Sequence, residues 1–285
     1  MKIGLNLVPV SLDKLADAAR VSEELGFESG WIGEHIVLPM KPRVPYPYGE
    51  ASFRPDTPFL EPFVALAHLA TVTEKLRLGT GICILPGRQF FATARAITTL
   101  DNISRGRLDL GVGTGWSEDE FELLGADFHQ RGAVMDEFLD ALDALWQQQH
   151  PSFHGKYLDF DNLGFAPKPV QKPRVPVHVG GFAPAALRRA AVRGDGWYGS
   201  AGSPEEARNS IDTINNLLRE QGRDPADFEH TIMVWSPPDS ATVAAYGEAG
   251  AQRLIATPFS YPKYEADPIA RIRDFARYCG LQKPG

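Results

Sequence analysis

The chain of 285 residues is 43% hydrophobic and 23% charged, with a formal net charge of −7. That balance buries a large core and offers no basic field for nucleic acid. Two cysteines, Cys83 and Cys279, are too few for a disulfide framework or a cysteine-based metal cluster, so no metal site is expected. No apolar run reaches the roughly 20 residues that cross a bilayer, and a strand pattern starts at Lys2 where a signal core would stand. A cytoplasmic protein, neither secreted nor membrane-anchored, is expected.

In chain order, Lys2 to Val8 reads as strand one. A helix follows from Leu12 to Leu25, with Ser11 as N-cap and Gly26 as its stop. Glu28 to Glu34 holds strand two. The stretch that follows, to Leu60, is rich in Pro, Tyr and Gly and too long for an ordinary connection, which marks it as functional. Helix two spans Glu61 to Thr73. The segment Leu76 to Leu85 is an apolar strand halted by Pro86-Gly87, Phe90 to Ile103 is its crossover helix, and Leu108 to Val112 is strand four. Helix four is split into Glu118 to Leu124 and Gly132 to Gln149.

A second insertion, Pro151 to Arg174, holds an aromatic stretch from Tyr157 to Phe160 that reads as half of a hairpin. Strand five is Val175 to Val179 and helix five Pro184 to Arg193. Strand six is Gly196 to Ser200, and helix six runs from Pro204 to Gln221 with Ser203 as N-cap. Strand seven is His230 to Trp235, helix seven Ala241 to Ala249, strand eight Arg253 to Ala256 and helix eight Pro268 to Tyr278. Eight βα units without a low-complexity linker predict an α/β protein, a single (β/α)8 TIM barrel over residues 1–285, with insertions after strand two and before strand five. A doubly wound open sheet is the alternative.

The ligand-facing loops of such a barrel lie beyond the carboxyl ends of its strands. Glu34-His35 arrives there after strand two, either as a proton-handling pair or as a structural hydrogen-bond pair. Two glycines in Gly79-Thr80-Gly81, and Gly111, Gly113 and Gly115 on the next strand, suggest backbone approached closely by a flat ligand. Gly180-Gly181 precedes the helix at Pro184, where free N–H groups and a helix dipole suit a phosphate, or simply make a tight turn. Trp116 stacks on a ligand or packs. The loop aromatics Tyr46, Tyr48, Phe53, Phe259 and Tyr261 imply an apolar pocket. No GxSxG, HExxH, Walker loop or complete GxGxxG is present.

Four ordered segments, GWIGEH (30–35), RLGTGICILP, GRLDLGVGTGW and VHVGG (177–181), resemble the luciferase-like monooxygenase superfamily, and within it the deazaflavin (F420) branch. The resemblance covers nearly the whole chain. It implies an F420-dependent oxidoreductase that passes hydride between the deazaflavin and a small organic substrate. An FMN-dependent monooxygenase, using O2 and reduced flavin from a partner reductase, is the alternative, and a non-catalytic flavin-binding barrel the third reading. It places His35 near the reactive face of the ring, with Glu34 as a polar neighbour. A non-prolyl cis peptide at Gly81-Ile82 would lie beneath the ring.

By the same resemblance Gly113 and Gly115 lie along the cofactor, and Gly180, Gly181 and Phe182 hold its phosphate beside the Ser200-Ala201-Gly202 turn. Trp116, Tyr46, Phe53, Phe259 and Tyr261 line the substrate pocket, and a homodimer forms through the early helices. The sequence departs from the pattern twice. Some deazaflavin enzymes have a lysine where Ser203 stands, and certain members carry a glutamate proton donor in place of Trp116.

Overall fold

The computed structural model describes residues 1–8, 10–47, 53–200, 202–235, 238–259 and 267–281. Ala201, Tyr48 and Tyr261 lie outside the described residues. Strands and helices alternate as the hydrophobic pattern requires: β1 (Lys2–Asn6), α1 (Leu12–Glu24), β2 (Ser29–Ile32), α2 (Pro62–Val72), β3 (Arg77–Thr80), β4 (Cys83–Ile84), α3 (Phe90–Ile103) and β5 (Leu108–Gly113). Then come α4 (Glu118–Leu123), α5 (Arg131–Gln147), β6 (Phe153–His154), β7 (Asp159–Phe160), β8 (Val177–Gly180), α6 (Pro184–Arg193), β9 (Gly196–Ser200), α7 (Pro204–Glu220), β10 (Glu229–Val234), α8 (Ser240–Glu248), β11 (Arg253–Ala256) and α9 (Pro268–Tyr278).

Parallel pairing runs β3-β2-β1-β11-β10-β9-β8-β5, and β5 returns to β3, so the sheet closes on itself. With β3 and β4 forming one interrupted stave, the result is a closed barrel of eight parallel staves ringed by helices. Buried residues such as Leu5, Leu78, Leu110 and Ile232 form the main core. A smaller cluster of Trp31, Tyr198 and Ile255 fills the barrel axis, with Ile82 and Met233 packed against it.

The expected unbroken strand from Leu76 to Leu85 is in fact two pieces. Gly79 faces Asp109 and Cys83 faces Val112, so four residue steps on one strand match three on its neighbour. One residue is therefore extra, a bulge. The cis peptide bond Gly81-Ile82 lies within it. Two of the local glycines also have a reason within the protein. A Cβ on Gly79 would stand 2.2 Å from the Trp31 ring, and one on Gly113 would stand 2.5 Å from Ile82 Cδ1. The protein itself fills the space beside both.

Smaller differences have equally local causes. Ser11 occupies the N-cap position of α1 but its side chain accepts no helix N–H, whereas the Glu206 N–H donates to Ser203 at 3.2 Å as expected for a cap. The insertion before β8 contains the expected hairpin, with Phe153 opposite Phe160. Its turn is fixed by Glu137, whose carboxylate accepts the N–H groups of Lys156, Tyr157 and Leu158.

His230 on β10 is buried, 3.0 Å from Asn215 Oδ1 through Nε2, and its Nδ1 has no hydrogen-bond partner among the described residues. Burial pushes this imidazole down to about 4. The unfolded chain binds a proton at His230 below about pH 6.5, and the folded chain does so only below about 4. Stability contributed by the neutral ring is therefore complete above that window and is lost on acidification through it, by about 3 kcal/mol. His230→Leu should flatten the dependence of unfolding free energy on pH between 7 and 4, read by urea titrations. Equal slopes in the two proteins would refute this.

Candidate functional site

β2 ends at Ile32 because Gly33 must pass the bulge: a Cβ there would stand 2.7 Å from the Gly81 carbonyl oxygen. The chain then leaves the barrel with Glu34 and His35 at its carboxyl mouth. The two side chains part company. Glu34 accepts the Ile84 N–H at 2.6 Å and the Arg88 Nε–H at 3.1 Å, and Arg88 goes on to Glu61 at 2.8 Å. Its carboxylate thus belongs to the wall, locking β2 to the residues just past the bulge.

His35 instead points to α4. Its Nδ1 lies 2.8 Å from Glu120 Oε2, with the His35 side chain 8% exposed and that of Glu120 1%. Glu120 also accepts the N–H groups of Ile36 at 2.7 Å and Val37 at 3.3 Å. Trp116 Nε1–H approaches His35 Nε2 at 3.4 Å. These contacts select one tautomer for the neutral ring, with the hydrogen on Nδ1 and the lone pair on Nε2. Phe53, Phe59 and Trp116 surround the imidazole with ring centroids 5.1, 5.2 and 5.7 Å away. Farther out, the loop is clasped to α4 by Arg43, whose N–H donates to Asp119 at 2.8 Å and whose guanidinium reaches Glu122 at 2.5 Å.

A cavity of about 490 Å³ opens here, a volume usual for small-molecule sites. The barrel brings His35, Glu34, Gly81, Ile82, Gly113, Gly115, Trp116, Gly180, Gly181, Phe182 and Ser200 to it, together with the loop aromatics Tyr46, Phe53 and Phe259. Gly202 is not among its lining residues, and its N–H is taken by Glu206 Oε2 at 2.9 Å, which sets a carboxylate on that turn. Sequence reasoning missed Glu120, Arg131, Tyr198 and Asn6. Only the placement of α4 over the β2 loop brings Glu120 to a histidine 85 positions away, and no local pattern announces that. Arg131 lines the cavity with its guanidinium stacked 3.7 Å from the Phe128 ring centroid. A larger groove of about 680 Å³ lies between α2 and α3, but it is lined chiefly by apolar and small side chains and His35 is not among them.

Residues 4–277 match the family model described as luciferase-like monooxygenase. The chain belongs to the luciferase-like monooxygenase family. Its match to an uncharacterized protein of Mycobacterium tuberculosis is 36% identical over 218 residues, 75% of this chain and 74% of that one. The FMNH(2)-dependent dimethylsulfone monooxygenase of Pseudomonas putida is 32% identical over 156 residues, 53% of this luciferase-like chain and 42% of that protein. A solved F420-dependent secondary alcohol dehydrogenase, in complex with an F420-acetone adduct, shares the fold with a TM-score of 0.80 over 99% of each chain, at 19% identity. Proteins similar to this luciferase-like chain thus include both F420-dependent and FMN-dependent enzymes.

Proposed function

We propose that this luciferase-like protein is an oxidoreductase that holds F420 in the cavity and transfers hydride to or from a small organic substrate seated under the 36–60 loop. The observation that carries the reading is the His35–Glu120 pair at the cavity wall, with the Nε2 lone pair of His35 engaged by Trp116 Nε1–H at 3.4 Å, a long contact that a substrate hydroxyl would replace. The residues present suit a flat conjugated cofactor. Ile82 forms an apolar bump for a ring to rest on, and Gly180 and Gly181, ahead of α6, leave backbone close to the ligand for its phosphate. Arg131 is the cation on the cavity lining among the described residues, and we assign it to the anionic end of the cofactor.

When bound, the cofactor supplies the two-electron chemistry. The chain supplies position and a proton path. As a substrate hydroxyl becomes a carbonyl, its proton passes to His35 Nε2, and Glu120 stabilises the imidazolium through Nδ1–H; in the reverse direction the same nitrogen returns the proton. Phe53, Phe59 and Trp116 pack their rings around this imidazole.

The likeness to the dimethylsulfone monooxygenase supports a second reading, with reduced FMN delivered by a reductase and O2 as co-substrate. A side-by-side fluorescence titration of the protein with F420 and FMN separates the two. Binding of FMN alone, with product oxygen derived from labelled O2, would replace the first reading by the second. Binding of neither would leave a barrel without this chemistry.

A second copy of the chain is the partner we assign to the outer face of α2. Nine of the eleven residues of this helix are apolar, His68 and Thr71 on its exposed side being the exceptions, and Val64 on that side is 71% exposed above the groove shared with α3. Such a helix is ordinarily covered. Val64→Asp should convert a dimer to a monomer by sedimentation, and a wild-type protein that sediments as a monomer would refute the assignment.

A further inference from the structure

Tyr198, on β9, stands in the barrel axis with its ring 5.2 Å from that of Trp31, and it is 6% exposed. It lines the floor of the cavity. Its hydroxyl sits beneath the bulge, where a Cβ on Gly81 would come within 2.7 Å of the oxygen. The hydroxyl's acceptor is the Met233 thioether, 3.5 Å away. Sulfur of this kind is a weak acceptor, and a buried tyrosine ordinarily directs its O–H to a strong one. Burial, helped by Tyr46, pushes the phenol well above its ordinary value, so the group remains protonated and acts as a donor.

Two neighbours on the cavity wall have the same polarity. Asn6 Oδ1 already accepts the Val8 N–H at 3.1 Å, which leaves its amide hydrogens as donors. Ser200 Oγ accepts from Trp235 Nε1 at 2.6 Å, which leaves its hydroxyl hydrogen. Tyr198, Asn6 and Ser200 thus each present a hydrogen-bond donor to the same cavity, which suits a ligand edge rich in acceptors.

We propose that Tyr198 donates its hydroxyl hydrogen to a carbonyl oxygen or ring nitrogen on the polar edge of the conjugated ring that rests on Ile82. This rests on the cofactor reading above, and the acceptor-rich edge is common to flavins and deazaflavins. Donation there fixes the in-plane orientation of the ring and draws electron density toward that edge. Tyr198 is thus a binding and positioning residue, distinct from the proton path at His35.

The variant is Tyr198→Phe, which keeps the ring packed on Trp31 and removes one hydroxyl. Three readouts are taken: the melting temperature of the protein without cofactor, the affinity for F420 and for FMN by fluorescence titration, and the absorption maximum of whichever cofactor binds. The unliganded melting temperature should be unchanged, because only a thioether contact is given up. Affinity should fall about tenfold, the scale of one hydrogen bond, and the absorption maximum of the bound cofactor should move. Unchanged affinity and spectrum would overturn the proposal while leaving the cofactor reading intact. Weaker binding accompanied by a lower unliganded melting temperature would make Tyr198 structural and also overturn it. A wild-type protein that binds neither cofactor would overturn both.

Discussion

Asp109→Ala should lower the unfolding free energy by about 3–5 kcal/mol, the usual consequence of removing one partner from a buried charge network. Asp109 is 3% exposed on its side chain, and it bridges Arg77 at 2.5 Å and Arg253 at 3.4 Å, with His178 at 3.8 Å. Arg253, 1% exposed, keeps Glu28 at 2.8 Å and Glu229 at 3.2 Å after the change. Among the described residues, Arg77 then keeps hydrogen bonds to the Leu108 carbonyl at 3.3 Å and Gln171 Oε1 at 3.5 Å and none to a carboxylate. Burial by itself would raise the Asp109 carboxyl, but hydrogen bonds from Arg77, with His178 and the Arg253 charge close by, hold it well below the usual range. Its folded value is depressed, so its contribution is present above the unfolded value near 4 and is lost as pH falls below it. Wild type and variant should therefore differ widely in urea midpoint at pH 7 and converge toward strong acid. A midpoint loss equivalent to under 1 kcal/mol at pH 7 would show that the network is dispensable.

His35→Ala should leave the fold and most cofactor affinity in place and lower turnover by about 10² to 10⁴, the range typical of a positioned acid–base group. Glu120→Gln tests the partner. It keeps an oxygen for Nδ1–H but loses the negative charge that stabilises the imidazolium, so turnover should fall by a smaller factor. The change also weakens the anchoring of Ile36 and Val37, so KM should rise as the loop loosens. Following the visible absorbance of the cofactor during turnover gives both constants. If His35→Ala turns over at the wild-type rate, His35 is only a wall residue.

The alternation of eight strands with eight helices was legible because each buried parallel strand must be apolar and each crossover must end at a Gly, Pro or cap. Phe90–Ile103, Pro184–Arg193 and Pro268–Tyr278 have the expected bounds for that reason. The residues along the strand ends were legible as well, since the barrel's topology delivers Glu34-His35, Gly113 and Gly180 to one mouth. What could not be read was any contact between elements distant in sequence. Glu120 looks like one of three acids opening a short helix, Glu118, Asp119 and Glu120, and only tertiary packing gives it the histidine. Asp109 and Arg253 read as polar interruptions of apolar strands until the barrel closes and pairs them. The packing reason for Gly79 and Gly113 could not be read, because a void left for a ligand and a void left for Trp31 or Ile82 have the same sequence.

The extra residue between Gly79 and Cys83 acts on everything downstream like a frameshift. Side chains on a strand alternate between its two faces, so without the bulge Gly79, Gly81 and Cys83 would all look into the barrel. With it, Ile82 packs with Trp31 and Tyr198 in the axis, Ile84 lines the cavity, and the Cys83 thiol turns outward into the core beneath the helices. Deleting one residue here would leave Cys83 opposite Val112 on a regular strand, so the faces would be kept, but the displaced backbone that stands against Gly33 and the Tyr198 hydroxyl would be lost. This stave therefore tolerates changes of letter far better than changes of length, and engineering of the cavity should hold its residue count fixed.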